Sequence, residues 1–175
     1  DAQDQIAGRE TATVARWLEV PERDSVFAAT RAGALEIRAD GTWERRSAHA
    51  ASSIARDPAS GTIGIVGAGV ERWDGERFRP VLFSLRHPRW PPGRFAAGSP
   101  IDLAIDRRGT WHLLYPGGVI ALLRPDAAVA DILDPEDGVP STALRLLAHP
   151  ETGEVFVGSA GEGVVVVGPA ITPGK

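Results

Sequence analysis

Cysteine is absent from this chain, as are methionine and asparagine; lysine occurs once, at Lys175, among 19 Lys and Arg residues. Without cysteine there is no disulfide framework, no thiolate nucleophile and no cysteine-ligated metal. Long hydrophobic runs are also missing. Runs such as Val164 to Val167 fall far short of a bilayer's thickness, so no membrane span is expected in this chain. No stretch of ten or more residues carries a helical apolar period. Nor is there an excess of positive charge: the net charge is −4 and the pI about 5.6, which leaves no overall electrostatic footprint for nucleic acid. The chain opens at Asp1 with no charged-then-apolar leader, which fits a processed, secreted or excised segment equally. Its Arg-, Ala-, Gly- and Pro-heavy usage fits a bacterial gene of high GC content.

What is present is repetition. With 43% hydrophobic and 24% charged residues over 175 positions, one folded domain spanning 1–175 is expected. Four segments, beginning near Val14, Ser52, Ser99 and Ser141, share one pattern: an apolar stretch, a turn, a β-rich stretch, a glycine and a further strand. Aligned on the turn, Asp24, Gly61, Gly109 and Gly153 occupy one position, about forty residues apart, as in propeller blades. The second stretches read SVFAAT, TIGIVG, TWHLLY and EVFVGS, short and rich in β-branched or aromatic residues. Asp40-Gly41 and Asp74-Gly75 are hairpin signals, because glycine takes positive φ at little cost. The gaps between strands are too short for crossover helices. The expected fold is therefore all-β: a β-propeller-like array of about four antiparallel, three- to four-stranded blades, near 11–48, 49–85, 97–134 and 138–170. A β-sandwich is the alternative.

The stretch TIGIVGAGVERWDG (62–75) imitates a dinucleotide-binding turn. Such a turn needs a third glycine for helix–strand packing and must open a helix whose N-terminus faces phosphate. Arg72 occupies the third position, and Asp74-Gly75 turns the chain almost at once, so no nucleotide cofactor is expected. The histidines, His49, His87, His112 and His149, show no metal-ligand spacing, and no serine sits in a nucleophile elbow. Residues 134–138, DPEDG, lack the twelve-residue calcium-loop pattern and read as a plain turn. Residues 39–46, ADGTWERR, resemble the Asp-box of sialidase propellers but are one residue short, and no arginine triad accompanies them.

The last unit, DGVPSTALRLLAHPETGEVFVGSAGEGV (137–164), resembles the repeat of two-component-regulator propellers. Gly138, Pro140 and Ser141 match its opening, Gly153 its turn, Phe156 stands where tryptophan is usual, and Gly158 and Gly163 fit. In the third unit Asp106, Gly109, Trp111 and Gly118 match. The resemblance implies a periplasmic or extracellular bacterial sensor region that binds a ligand or partner protein and is not catalytic. A propeller hydrolase or lyase acting on glycans, or a structural repeat segment of a larger receptor, are the alternatives.

One stretch breaks the rhythm. RHPRWPPGRFAAGS (86–99) lengthens the link between the second and third units, and its prolines limit the entropy lost on binding. Arg86, His87, Arg89, Trp90 and Arg94 are the candidate binding residues, since Arg and Trp are favoured interface anchors. An open array of four blades would also leave two apolar end faces, so self-association or a protein partner is expected to cover them.

Overall fold

The computed structural model describes residues 13–85, 98–124 and 127–167. In it the four aligned turn positions all carry positive φ: Asp24 at 50°, Gly61 at 73°, Gly109 at 76° and Gly153 at 75°. Each reverses the chain after the first strand of a unit, and the strands that follow pair antiparallel with their predecessors. The first sheet is the meander β1 (Val14–Val20), β2 (Ser25–Thr30), β3 (Gly33–Arg38) and β4 (Trp43–Ser47). The second is β5 (Ala51–Arg56), β6 (Ile63–Gly67), β7 (Val70–Trp73) and β8 (Phe78–Pro80). A two-residue strand, β9 (Ser84–Leu85), then crosses to the third sheet. That sheet comprises β10 (Asp102–Ile105), β11 (Trp111–Tyr115), β12 (Val119–Leu123) and β13 (Val129–Leu133), and β9 pairs in parallel with its outer strand β13. The fourth holds β14 (Ala143–Ala148), β15 (Val155–Ser159) and β16 (Val164–Val167). Two 3-10 turns, Pro21–Arg23 and Pro135–Asp137, complete the elements. The architecture is a four-bladed β-propeller arrangement. The end of the second unit differs from its expected place: β9 belongs to the third blade's edge, because the chain pairs there before residue 86.

The nucleotide-like stretch is a hairpin. β6 and β7 are adjacent antiparallel strands, and β7 runs directly on to its antiparallel partner β8 with no helix opened. Gly67 is needed for a different reason: a Cβ there would overlap the carbonyl oxygen of Ala50.

First strands lie innermost, with β1 against β5, β5 against β10 and β10 against β14. Each seam has its own core. Between blades 1 and 2, Phe27, Trp73 and Phe78 meet edge to face, with ring centroids 5.1 to 5.8 Å apart. Beside them the buried Glu36 takes Arg23 Nε at 3.0 Å and Arg46 Nη2 at 2.6 Å, and both guanidiniums also lie over the Trp73 ring. Between blades 2 and 3, Val66 packs with Leu103, Trp111 and Leu113; between blades 3 and 4, Leu114 and Ile120 pack with Leu146 and Val157. β11 alternates between these two seams, which explains why WHLLY is buried throughout and is apolar but for His112.

No core cluster of described residues joins blade 4 to blade 1. The outward face of blade 1 carries two rows, Trp17–Ala28–Leu35–Arg45 and Glu19–Val26–Ile37–Trp43. Trp17 and Trp43 are each 45% exposed and Val26 and Ile37 half-buried, while Ala28 and Leu35 on the same face are buried. The outward face of blade 4 carries Leu147–Phe156–Val166 and Arg145–Gly158–Val164, with Leu147 60% and Val164 66% exposed.

Candidate functional site: an arginine-lined cleft at the second blade seam

The turns after β1, β5, β10 and β14 lie on one side of the array. In blades 2 and 3 an aspartate organises the turn: Asp57 Oδ1 accepts from the Ala59 amide at 2.8 Å, and Asp106 Oδ1 from those of Arg108 and Thr110 at 2.8 and 3.0 Å. These local bonds compete with extended structure and fix the reversal that Gly61 and Gly109 permit. In blade 4 the same place is taken by His149, whose Nδ1 accepts from the Glu151 and Thr152 amides at 3.3 and 3.2 Å. Adjacent turns are tied where partners reach. Arg56 of blade 2 pairs with Glu22 of blade 1, and Arg107 Nη1 donates to the Glu151 carbonyl of blade 4 at 3.0 Å.

Between the turns of blades 2 and 3 a cleft of about 310 Å³ opens. Its apolar lining is Val81, Trp111, Leu123 and Ala127. Trp111 is only 6% exposed and is held from behind by Gly64, where a Cβ would overlap the indole ring. Four arginines surround this lining: Arg72 from β7, Arg107 and Arg108 from the β10–β11 turn, and Arg124 after β12. Among the described residues the one carboxylate on the rim, Asp57, is engaged by the Ala59 amide and the Ser60 hydroxyl. A shallower groove continues past Arg72 to Arg79 and Leu82, and there Arg79 is paired with Asp74.

Beneath the rim, Asp106 is buried with His112, whose Nε2 lies 3.2 Å from Oδ2. Burial alone would raise the Asp106 carboxyl. The hydrogen bonds from His112 and from the Thr110 and Arg108 amides outweigh it, and the group sits below the usual aspartate range. Across the seam, burial pushes the Tyr115 hydroxyl up to about 12, so it stays protonated.

The sequence-derived candidates Arg86, His87, Arg89, Trp90 and Arg94 lie outside the described residues. Of the cleft residues, the sequence singled out Gly109 and Trp111 as repeat positions, with Asp106 beneath them, and Arg72 only as a misfit to a nucleotide motif. The three remaining arginines carried no signal, because only the blade packing gathers them. Among the described residues no group of three potential metal ligands converges. Residues 134–138 form a capped 3-10 turn in which Asp134 accepts from the Glu136 amide.

No protein-family model matches the sequence, and no curated protein is found similar to it. The fold is shared with solved structures. A protein of unknown function from Bacteroides caccae superimposes with a TM-score of 0.62 at 10% identity, over 93% of this chain and 59% of that one. The major allergen Mala s 1 of Malassezia sympodialis gives 0.54 at 12% identity, over 90% of this chain and 54% of that one. An extracellular domain assigned to a one component system of B. thetaiotaomicron gives 0.47 at 9% identity, over 87% of this chain and 28% of that one. The chain thus spans little more than half the length of the first two structures it resembles, and what it shares with them is the propeller fold.

Proposed function

We propose that the chain is a non-catalytic β-propeller interaction module of the sensor type, bacterial and working outside the cytoplasm. Its blade array docks a further sheet, from a second copy or a partner protein, through its end faces. The observation that carries this reading is the pair of outward faces, Trp17, Val26, Ile37 and Trp43 at one end and Leu147, Phe156, Val164 and Val166 at the other. Apolar faces of this kind mark interaction surfaces. They are built like the faces that pack at the three interior seams, so the matching partner surface is another twisted antiparallel sheet with an apolar row. Charged residues flank both faces, Glu19 and Arg45 at one end and Arg145 at the other.

Sedimentation of the purified chain over a wide concentration range tests this. Mass that rises with concentration, and falls to the monomer in Trp17→Glu and Val166→Glu, is the expected result for a second copy. A constant monomer whose end faces bind a hydrophobic dye points to a partner protein. A constant monomer that binds no dye overturns the proposal.

A further inference from the structure

We infer that the cleft between blades 2 and 3 is a binding site for a small polyanion, a molecule with two or more carboxylate or phosphoryl groups on an apolar or aromatic body. Four guanidiniums line a cavity of about 310 Å³ in a protein whose net charge is −4. Arg107 spends one nitrogen on the Glu151 carbonyl, which fixes its stem but neutralises no charge. Arg72, Arg108 and Arg124 have no ion-pair partner among the described residues; Arg31, Arg45, Arg77 and Arg145 elsewhere also have none, but only in the cleft do such arginines converge on one cavity. The one rim carboxylate among the described residues is occupied by its own turn.

Like charges brought together repel, and the arrangement gains most from a ligand that supplies the missing negative charge. The guanidinium fork recognises planar carboxylates and tetrahedral phosphoryl groups in pairs of hydrogen bonds, which a lone ammonium would not do. The lining of Val81, Trp111, Leu123 and Ala127 adds a dry patch for the ligand's apolar body, and the volume suits a small molecule. Three different chain segments contribute the arginines, so the site exists only when the blade seam is formed.

Trimesate, a benzene ring with three carboxylates, is the probe of choice, with its uncharged triamide as the matched control and naphthyl phosphate as the phosphoryl arm. Calorimetric titration of the full chain at low salt is expected to give saturable trimesate binding that weakens as salt is added. Arg72→Gln and Arg124→Gln should each weaken it roughly tenfold or more, the loss of one charge-assisted partner. Arg77→Gln, outside the lining, should leave it unchanged. Naphthyl phosphate binding with the same arginine dependence marks a general oxyanion site, and its failure marks a carboxylate site; both support the inference. The chain has no cysteine, so Ala59→Cys carries a single fluorophore on the rim, and a response to trimesate there locates binding independently of the arginine variants. No saturable binding by either anion, equal binding of the triamide, or an equal loss in Arg77→Gln would overturn it.

Discussion

Arg16 and Asp102, 86 residues apart in the chain, meet at 2.9 Å across the inner edge of the array. Arg16 Nη1 also reaches the Ser53 hydroxyl at 3.1 Å, and the second oxygen of Asp102 accepts the Leu146 amide at 2.7 Å. One short relay therefore touches the innermost strand of every blade: β1, β5, β10 and β14. Asp102 is 1% exposed, so its charge depends on these partners.

Replacing Asp102 tests that dependence. Asp102→Ala leaves Arg16 and the Leu146 amide without their acceptor and should lower stability by about 3–5 kcal/mol in urea titration. Asp102→Asn keeps an acceptor for the amide and should lose less. Hydrogen exchange at Leu146 should quicken in the alanine variant; equal exchange in both would place the effect on packing instead.

Glu36 predicts a pH dependence. Burial would raise its carboxyl, but the bonds from Arg46 and Arg23 hold it below its ordinary 4.5. A group with a depressed folded pKa contributes stability above its unfolded value and loses it as pH falls through the folded one. Stability should thus hold above about pH 4.5 and drop as acid is added below it, with Asp106 adding to the drop from 3.8 downwards. Glu36→Gln should cost about 2–3 kcal/mol at neutral pH and flatten the acid limb, seen as a smaller shift of the urea midpoint.

Gly64 lies under the Trp111 ring with no room for a Cβ. Because the indole is buried, it cannot swing into solvent, and Gly64→Ala should cost about 1–3 kcal/mol in thermal unfolding. The same substitution should disturb the cleft lining, so a probe on Ala59→Cys should change its emission without any ligand. Unchanged emission with lowered stability would show that the seam yields elsewhere.

His149 stands where Asp57 and Asp106 stand in their blades, with longer bonds to the turn amides. A carboxylate accepts such amides more strongly. His149→Asp should raise the melting temperature at neutral pH, by an amount equivalent to about 0.5–1 kcal/mol, after losing the ring contact with Phe156. A lower melting temperature would mean that the Phe156 contact dominates.

The repeat was legible because its determinants are local. A positive φ at Asp24, Gly61, Gly109 and Gly153 is a property of a turn, and strand pairing between chain neighbours follows from it. Arg72 was correctly read as incompatible with a helix-opening nucleotide turn. The parallel pairing of β9 was not legible, since two residues carry no periodicity and their partner lies some forty-five positions on. Nor was the cleft, whose arginines are set by how strands face across a seam rather than by spacing. The Arg16–Asp102 tie was hidden for the same reason: each residue sits in an unremarkable strand, and only the convergence of four inner edges gives them a common address.

Blades whose apolar cores join only immediate neighbours behave much as a short one-dimensional chain, to which the Arg16–Asp102 tie adds one polar link from blade 1 to blade 3. An interior blade can melt only by breaking two seams, whereas a terminal blade gives up one. Unfolding should therefore proceed inwards, with amide protection graded from both ends towards the seam of blades 2 and 3. That gradient leaves the arginine cleft as the last recognition surface to survive partial unfolding, which would let the molecule exchange its end contacts while keeping a ligand in place.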